Sequence, residues 1–404
     1  MAKPKIRFKG YTDDWEQRKL GEIASSFEYG LNAAAKEYDG ENKYIRITDI
    51  DDNTHEFLTY NLTSPDIDLT DVENYKLAEG DILFARTGAS VGKSYIYRDS
   101  DGLVYYAGFL IRARVREEYD AEFVFQSTLT DKYNKYIAVT SQRSGQPGVN
   151  AQEYSEFEIR VPEKEEQTKI GTYFHNLDHL ITLHQRKCEE TKKLKKYMLQ
   201  KMFPQNGQTV PEIRFAGFTD AWEQRKLGKL VDRVTRKNQD LVSELPLTIS
   251  AQYGLIDQNE FFDKRVASKD VSGYYLIENG EFAYNKSTST DAPWGAVKRL
   301  DRYENGVLST LYIVFGIKEN NPVDSDFLVS YYSTNLWHKG IHEIAAEGAR
   351  NHGLLNIAPA DFFETELTMP QDIEEQKKIG KYFEELERLI TLHHRKYIYI
   401  LKSP

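Results

Sequence analysis

Two stretches of the sequence are nearly identical, IRFKGYTDDWEQRKLG at 6–21 and IRFAGFTDAWEQRKLG at 213–228. A second pair follows in the same order, EQTKIGTYFHNLDHLITLHQRK at 166–187 and EQKKIGKYFEELERLITLHHRK at 375–396. Thirteen of 16 positions match in the first pair and 15 of 22 in the second. We call these pairs the opening and the closing segments. Because chance does not place two such pairs in one order, the chain is two copies of one unit.

Between the shared segments lie two bodies of nearly equal length, 22–162 and 229–370, which resemble each other only faintly. GDILFAR (80–86) can be aligned with GEFAYNK (280–286), and AEFVFQSTL with SDFLVSYYS. Clusters of β-branched and aromatic residues between Gly, Asp and Asn predict strands, and a period near 3.6 predicts short helices. The predicted strands are 43–50, 80–86, 93–98, 108–115, 295–300 and 310–317, and the predicted helices are Phe123 to Tyr136 and Phe327 to Ile341.

The closing segments carry the a/d spacing of a coiled-coil seam, with charged residues on the other faces. No proline interrupts this pattern, so it predicts two long helices, 166–203 and 375–404. The two seams either pair with each other or dock separately on their own domains, and the length of the helices favours pairing. The seam residues are Ile170, Phe174, Leu177 and Ile181 in the first helix and Ile379, Phe383, Leu386 and Ile390 in the second.

Together these elements predict an α+β fold in which two similar mixed α/β domains are joined by two long helices in a pseudo-twofold arrangement. Proline and Asn-Gly in PQNGQTVP end the first long helix and indicate a linker. The predicted parts are a first domain at 1–165, a long helix at 166–203, the linker at 204–211, a second domain at 212–374 and a C-terminal helix at 375–404.

The composition predicts a soluble cytoplasmic protein. Among the 404 residues no run of 18 apolar residues occurs, so no membrane span is expected. MAKPKIRFKG is not followed by the apolar stretch of a secretory signal. The single cysteine, Cys188, fits a reducing compartment.

The sequence contains no complete catalytic or metal-binding motif. TGASVGKS (87–94) has the spacing GxxxGKS, one residue short of a P-loop, and strand-like residues follow it. DIDDN (49–53) lacks the glycine and glutamate of a calcium loop. The histidine pairs spaced by four, at 175/179 and 338/342, lack the glutamate of a zinc protease. The chain is therefore predicted to be non-catalytic and to hold no cofactor or metal of its own.

The doubled motifs resemble the specificity subunit of type I restriction-modification systems. The likeness is carried by WEQRKLGE (15–22) and WEQRKLGK (222–229), by GDILFARTGASVGK, and by SGQPGVN (144–150). It is also carried by the Pro-x(3–4)-Glu-Gln-x-Lys-Ile-Gly pattern that begins each closing helix. Each motif alone is weak, but their order and doubling span essentially the whole chain.

The resemblance implies that each body is a target recognition domain reading one half of a bipartite, asymmetric site in double-stranded DNA. It implies that the helices form an antiparallel coiled coil, which sets the spacing of the half-sites and docks two methyltransferase (M) subunits. Restriction/translocase (R) subunits would join through M, and S-adenosylmethionine, ATP and Mg would be used only by these partners. The alternative is a non-DNA adaptor with two variable protein-binding domains on a coiled coil.

Arginine and glutamine make bidentate contacts to guanine and adenine, so the candidate DNA-contacting residues lie in loops that carry them. In the second body, NKSTSTDAPWG replaces ARTGASVGK, which weakens the correspondence. The candidates are Arg86, Thr87, Gly88, Ser90, Lys93, Gln142, Arg143, Ser144 and Gln146 in the first body and Lys286, Ser287, Thr288, Ser289, Arg350, Asn351 and His352 in the second.

A net charge of −10 argues at first against nucleic acid. The excess acidity belongs to the two bodies, whereas both closing helices are basic. This pattern indicates a reader whose phosphate contacts come largely from partner subunits. Local clusters, namely Arg112, Arg114 and Arg116 and the stretch from Arg225 to Lys237, are predicted to face the duplex.

Overall fold

The protein was analysed as a computed structural model, which describes residues 4–143, 145–205, 207–250, 253–264, 266–290, 292–319, 321, 323–345 and 353–402. The chain divides into two compact units. Unit 1 holds the residues up to His184 and the end of the last helix from Tyr399, and unit 2 holds Gln185–Ile398. The boundary therefore falls inside the first long helix.

The body of unit 1 is built around a four-stranded antiparallel sheet, in the order β2-β9-β6-β7. Three two-stranded pairs, β1-β10, β3-β5 and the parallel β4-β8, surround it. The strands are β1 Glu16–Lys19, β2 Ala24–Tyr29, β3 Ala34–Glu37, β4 Lys43–Ile45, β5 Thr63–Asp66, β6 Asp81–Ala85, β7 Ser94–Ile96, β8 Val104–Tyr106, β9 Leu110–Val115 and β10 Glu158–Val161. The helices are α1 Leu20–Ile23, α2 Ala121–Ser127, α3 Asp131–Thr140, α4 Ala151–Ser155 and α5 Lys164–Lys201, which continues into unit 2.

Unit 2 repeats this plan, with a four-stranded sheet in the order β12-β19-β16-β17. Its two-stranded pairs are β11-β20, β13-β14 and β15-β18, all antiparallel, whereas β4-β8 of unit 1 is parallel. The strands are β11 Glu223–Lys226, β12 Val231–Val234, β13 Leu247–Ser250, β14 Gly254–Asp257, β15 Tyr275–Glu278, β16 Phe282–Asn285, β17 Ala296–Arg299, β18 Asn305–Leu308, β19 Ile313–Ile317 and β20 Glu366–Met369. The helices are α6 Leu227–Leu230, α7 Gln258–Phe262, α8 Ser325–Tyr331, α9 Trp337–Ile344, α10 Pro359–Glu364 and α11 Ile373–Lys402.

An arginine of each opening segment pairs with a glutamate at the start of each long helix. In unit 1, Arg7 donates from Nε and Nη2 to the two carboxylate oxygens of Glu166, both at 2.7 Å. In unit 2, Arg214 makes the same two bonds to Glu375, at 2.6 and 2.8 Å. Both glutamates are buried. The bidentate pair therefore ties the first residues of each repeat to its last helix.

The glutamine after each glutamate joins the helix to the body. The Gln167 side chain donates to the Pro162 carbonyl at 2.8 Å and accepts from the Asp120 amide at 3.1 Å. Gln376 repeats both bonds, to Pro370 and from Asp324, each at 2.8 Å. Because both ends of the amide are used and the residue is buried, the Glu-Gln dipeptide is constrained in both copies.

A glycine four residues further along lets another helix approach closely. A Cβ on Gly171 would lie 2.6 Å from the Asp120 carboxylate, and one on Gly380 would lie 2.7 Å from the Cβ of Asp326. The N-terminal turns of α2 and α8 therefore rest directly on the backbone of the long helices. This contact explains why Ile-Gly recurs in both closing segments.

The seam residues of α11 pack inside unit 2. Ile379, Phe383 and Leu386 are buried in a cluster that includes Trp222 and Phe203. Within unit 2 the end of α5 runs antiparallel to α11. Cys188 lies against Ile390, Lys195 pairs with Glu387 at 2.5 Å, and the ring centres of Phe203 and Phe383 lie 6.0 Å apart. The α11 seam thus contacts both the end of α5 and the core of unit 2. Pairing of the two helices and docking of a helix on its own domain therefore occur together in this unit.

The α5 seam residues within unit 1 are less buried. Ile170 packs on the core of unit 1, Leu177 and Ile181 are partly exposed, and Phe174 is 44% exposed. Ile390 of α11 is also only partly buried. Identical residues in the two copies therefore have different surroundings, as Phe174 and the 3% exposed Phe383 show.

Three predicted elements are wrong in detail. The helix predicted over Phe123 to Tyr136 is two helices, because the Thr130 side chain accepts a hydrogen bond from the Tyr133 amide and starts α3. The helix predicted over Phe327 to Ile341 is likewise broken, between α8 and α9. The strand predicted at 43–50 ends at Ile45, because the Asp49 carboxylate accepts from the Arg46 amide and closes a turn.

Two buried tyrosines hold the loop that follows β6. The Tyr154 hydroxyl donates to the Ala85 carbonyl at 2.7 Å and accepts from the Gly92 amide at 3.1 Å. The Tyr133 hydroxyl donates to the Gly92 carbonyl at 2.8 Å. A Cβ on Gly92 would lie 2.5 Å from the Ile137 side chain, so this end of the loop is packed against α3.

Changing Glu375 to Gln is expected to lower the free energy of unfolding of unit 2 by about 2 kcal/mol, because a charge-assisted bidentate pair to Arg214 is lost in a buried site. Thermal and urea unfolding measure the change. Glu374→Gln is the matched control, since Glu374 is exposed and pairs with Lys377 one turn along the same helix. Equal stability of the two variants would contradict the structural role of the pair.

Changing Tyr154 to Phe is expected to cost about 1 to 2 kcal/mol of stability, because the buried Ala85 carbonyl loses a donor. The exposed Tyr60 supplies the control, and Tyr60→Phe should leave the urea midpoint unchanged. A Tyr154→Phe midpoint equal to that of the wild-type protein would show that the hydroxyl does not hold the loop.

Candidate nucleic-acid interface

The two candidate loops of the first body form one surface. The Val149 amide donates to the Arg86 carbonyl at 2.9 Å, and Thr87 pairs with Gly148 as an isolated β-bridge. The Gly88 amide donates to the Pro147 carbonyl at 3.0 Å. The segments that follow β6 and α3, although more than fifty residues apart in sequence, are therefore joined by backbone hydrogen bonds at the end of the central sheet.

Arg86 extends from this surface with its guanidinium over two aromatic rings. Its guanidinium carbon lies 5.1 Å from the ring centre of Tyr29 and 5.9 Å from that of Phe109. The Arg86 amide also donates to the Phe109 carbonyl at 3.1 Å. Within the described part of the chain, no carboxylate pairs with Arg86. The rings orient the side chain while its N–H donors stay available for a ligand.

The other candidate residues of the first body differ in their exposure and in their contacts within the protein. Lys93 is turned inward, where it donates to the Ile50 carbonyl at 2.9 Å and pairs with Asp52, and its side chain is only 11% exposed. Arg143 pairs with Glu153 and remains 41% exposed. Ser144 lies outside the described residues. Thr87, Gly88, Ser90, Gln142 and Gln146 lie on the joined loops and are partly or fully exposed.

The second body places its corresponding loops in the same way. The Leu355 amide donates to the Lys286 carbonyl at 3.0 Å, Ser287 pairs with Leu354, and the Thr288 amide donates to the Gly353 carbonyl at 2.7 Å. These three contacts repeat those of the first body position by position. Ser289 follows on the exposed side of the same loop. Arg350, Asn351 and His352 lie outside the described residues.

Lys286 differs from Arg86 in its environment. Its ammonium lies 3.5 Å from the Ile357 carbonyl, and burial lowers the pKa of this lysine. The ammonium of Lys286 is therefore held against a backbone carbonyl, whereas the guanidinium of Arg86 lies over two aromatic rings. The two surfaces share a backbone frame and present different side chains.

The arginine cluster predicted to face a duplex is wrong for Arg112. Its side chain is 3% exposed, donates to the Lys76 carbonyl at 2.9 Å, and pairs with Glu28 and, at 3.7 Å, with Asp81. Burial and the neighbouring Arg114 lower the pKa of Arg112 to about 10. Arg114 also pairs with Asp81 at 3.1 Å. The strand pattern placed these residues correctly in β9, but their acidic partners are distant in sequence.

The second basic stretch is also largely engaged within the protein. Arg225 pairs with Glu223 at 2.6 Å, and Arg236 pairs with Glu281 at 2.9 Å. The Lys237 ammonium lies 4.1 Å from the ring centre of Tyr275. These cations contact neighbouring side chains, so the joined loops are the stronger candidates for ligand contact.

Sequence inspection did not single out Tyr29 and Phe109. Phe109 follows Gly108 in the turn between β8 and β9, and it is 61% exposed, while Tyr29 ends β2 and is 44% exposed. Gly108 before it was a partial signal, because glycine is common in turns, but the predicted strand 108–115 placed Phe109 inside the strand, whereas β9 begins at Leu110.

No group of three or more His, Cys, Asp or Glu side chains in the described ranges could hold a metal ion. None of the helices searched there has the length and apolar character needed to cross a membrane.

Comparisons with known proteins agree with the resemblance. Residues 12–193 match the family described as the type I restriction modification DNA specificity domain. A Methanocaldococcus jannaschii protein named as a type I restriction enzyme specificity subunit is 25% identical over 225 residues, which are 54% of this chain and 52% of that protein. The match thus spans about half the length of that relative.

The fold is also known from a crystal structure. The S subunit of a type I restriction-modification system from M. genitalium superimposes with a TM-score of 0.63, covering 98% of this chain and 96% of the other, at 12% identity. At this identity the likeness concerns the fold. Residues 12–193 are therefore similar to the type I restriction modification DNA specificity domain, and the chain as a whole shares the fold of the M. genitalium S subunit.

Proposed function

We propose that the protein is the DNA sequence-specificity subunit of a type I restriction-modification complex. Each unit would read one half of a bipartite, asymmetric site in double-stranded DNA. One observation carries the proposal: both units join the same two loops by the same three backbone contacts, yet present different side chains there. Two units that read different half-sites need the same backbone arrangement and different side chains at the DNA surface.

In unit 1 the chemistry of the loops suits base edges. An arginine whose donors are not engaged by a carboxylate can bind guanine O6 and N7, and glutamine can bind adenine N6 and N7. Lys93 is omitted from the proposed contacts because its side chain is only 11% exposed and pairs with Asp52, whereas Arg143 stays 41% exposed beside Glu153. The proposed contacts are Arg86, Thr87, Gly88, Ser90, Gln142, Arg143, Ser144 and Gln146 in the first body and Lys286, Ser287, Thr288, Ser289, Arg350, Asn351 and His352 in the second.

The long helices would set the distance between the half-sites and bind two methyltransferase subunits, through which the restriction/translocase subunits join. Two identical partners need two similar docking surfaces, and the closing segments are the parts of the repeat that stay alike. The chain itself would carry no chemistry. S-adenosylmethionine, ATP and Mg would be used by the partner subunits.

A non-DNA adaptor with two protein-binding domains is the competing function. The two are separated by selecting bound duplexes from a random-sequence pool with the chain and its methyltransferase partner. The proposed function predicts enrichment of two short defined blocks separated by a fixed undefined spacer. Recovery of duplexes without any sequence preference would favour the adaptor.

On the selected duplex, Arg86→Ala is expected to lower discrimination at one guanine by about 5- to 150-fold, because a bidentate contact is lost. Competition binding with each single-base variant measures it. Arg18→Ala is the matched control, since Arg18 lies in β1, outside the joined loops, and pairs with Glu16 at 2.5 Å. Unchanged base preference in Arg86→Ala would remove this arginine from the interface.

The chain alone is expected to bind DNA weakly and with a steep salt dependence, and to bind tightly once the methyltransferase is present. The reason is the net charge of −10, which repels phosphate unless partner subunits supply cations. DNA titrations at several salt concentrations, with and without the methyltransferase, measure the affinity and its salt dependence. Equal affinity with and without the methyltransferase would contradict the proposal that partner subunits supply most of the phosphate contacts.

A further inference from the structure

An apolar side chain is exposed at the same position of both units, at the turn that enters β9 in one central sheet and β19 in the other. In unit 1 the Leu110 amide donates to the Ala107 carbonyl at 2.8 Å, and Phe109 occupies the third position of this four-residue turn. In unit 2 the Tyr312 amide donates to the Ser309 carbonyl at 3.1 Å, and Leu311 occupies the third position.

Both side chains are unusually exposed for large apolar groups. Phe109 is 61% exposed and Leu311 is 56% exposed. The turns precede β9 and β19, which occupy the same place in the two sheets. The bodies have otherwise diverged in sequence, so an exposed apolar group at one equivalent position is not explained by packing within either unit.

The neighbours of Phe109 indicate what it contacts. Its ring centre lies 5.9 Å from the guanidinium carbon of Arg86, and its carbonyl accepts from the Arg86 amide. Phe109 therefore lies beside the arginine on the same surface of unit 1, and a ligand that binds one side chain would meet the other. Base pairs stack about 3.4 Å apart, so the two side chains meet positions within about two base pairs of each other.

We infer that Phe109 is a specificity-determining residue that contacts the C5-methyl group of a thymine within two base pairs of the guanine read by Arg86. The methyl group is the only apolar group that base edges present in the major groove, where arginine binds guanine. Leu311 makes the corresponding contact in the second half-site. The inference rests on the proposed DNA-reading function and names one base that it reads.

Replacing thymine by deoxyuridine removes only the methyl group, so the test requires no change in the protein. On the selected duplex, wild-type protein with its methyltransferase partner is expected to lose about fourfold in affinity when one thymine beside the Arg86-dependent guanine becomes deoxyuridine. Phe109→Ala is expected to bind the two duplexes equally. Leu311→Ala should abolish the corresponding difference in the other half-site.

Tyr60→Ala is the control, because Tyr60 is an aromatic residue of similar exposure in unit 1, in the loop before β5. It should retain the fourfold preference for thymine. A thermal unfolding midpoint for Phe109→Ala equal to that of wild type shows that the variant is folded, as expected for an exposed turn residue.

Two results would overturn the inference while leaving the proposed function intact. The first is that deoxyuridine at every thymine position within two base pairs of that guanine leaves the affinity of the wild-type protein unchanged, or that the selected site has no thymine there. The other is a thymine preference that persists in Phe109→Ala. Failure to enrich any sequence would overturn the proposed function and this contact together.

Discussion

The ion pair between an opening arginine and a closing glutamate is the constraint on which each repeat depends. Arg7 with Glu166, and Arg214 with Glu375, join the first residues of each copy to the start of its long helix. The short sheets β1-β10 and β11-β20 extend the same closure. Each body is therefore a large insertion whose two ends are held together. The sequence within a body can vary while the contacts that close the unit are kept.

The two units share backbone positions although the sequences of their bodies differ. The four-stranded sheets have the same strand order in both units, and their loops are joined by the same backbone bonds. Backbone hydrogen bonds do not depend on side-chain identity, so side chains at the loop surface can change freely. Arg86 and Lys286 occupy the same place with different surroundings, which suits two readers of different half-sites.

Much of the fold was predictable because the repeat and the a/d spacing are local signals. The two long helices and six strands of the bodies, β4, β6, β7, β9, β17 and β19, follow from these local signals, and the Glu-Gln motif marked the helix starts. The other strands of the bodies were not predicted. The helix breaks were missed because one side-chain cap, at Thr130, outweighs a continuing apolar period.

The candidate surface was predictable only in part. The loops after β6 and α3 were identified from their composition. Their contact with each other was not predictable, because it depends on backbone hydrogen bonds between segments that are distant in sequence. Arg112 was misassigned because Glu28 is 84 residues away along the chain and Asp81 faces it only across the sheet. Phe109 was missed because its exposure follows from the turn and not from its residue type.

The most direct test of two readers on one chain is the pattern of DNA modification in cells that carry the intact system. Methylated adenines would be mapped across the genome with and without a functional copy of this protein. The account predicts methylation at a single asymmetric motif of two short blocks separated by a fixed spacer, lost when the protein is absent. Methylation that persists without it, or that follows one continuous block, would contradict the account.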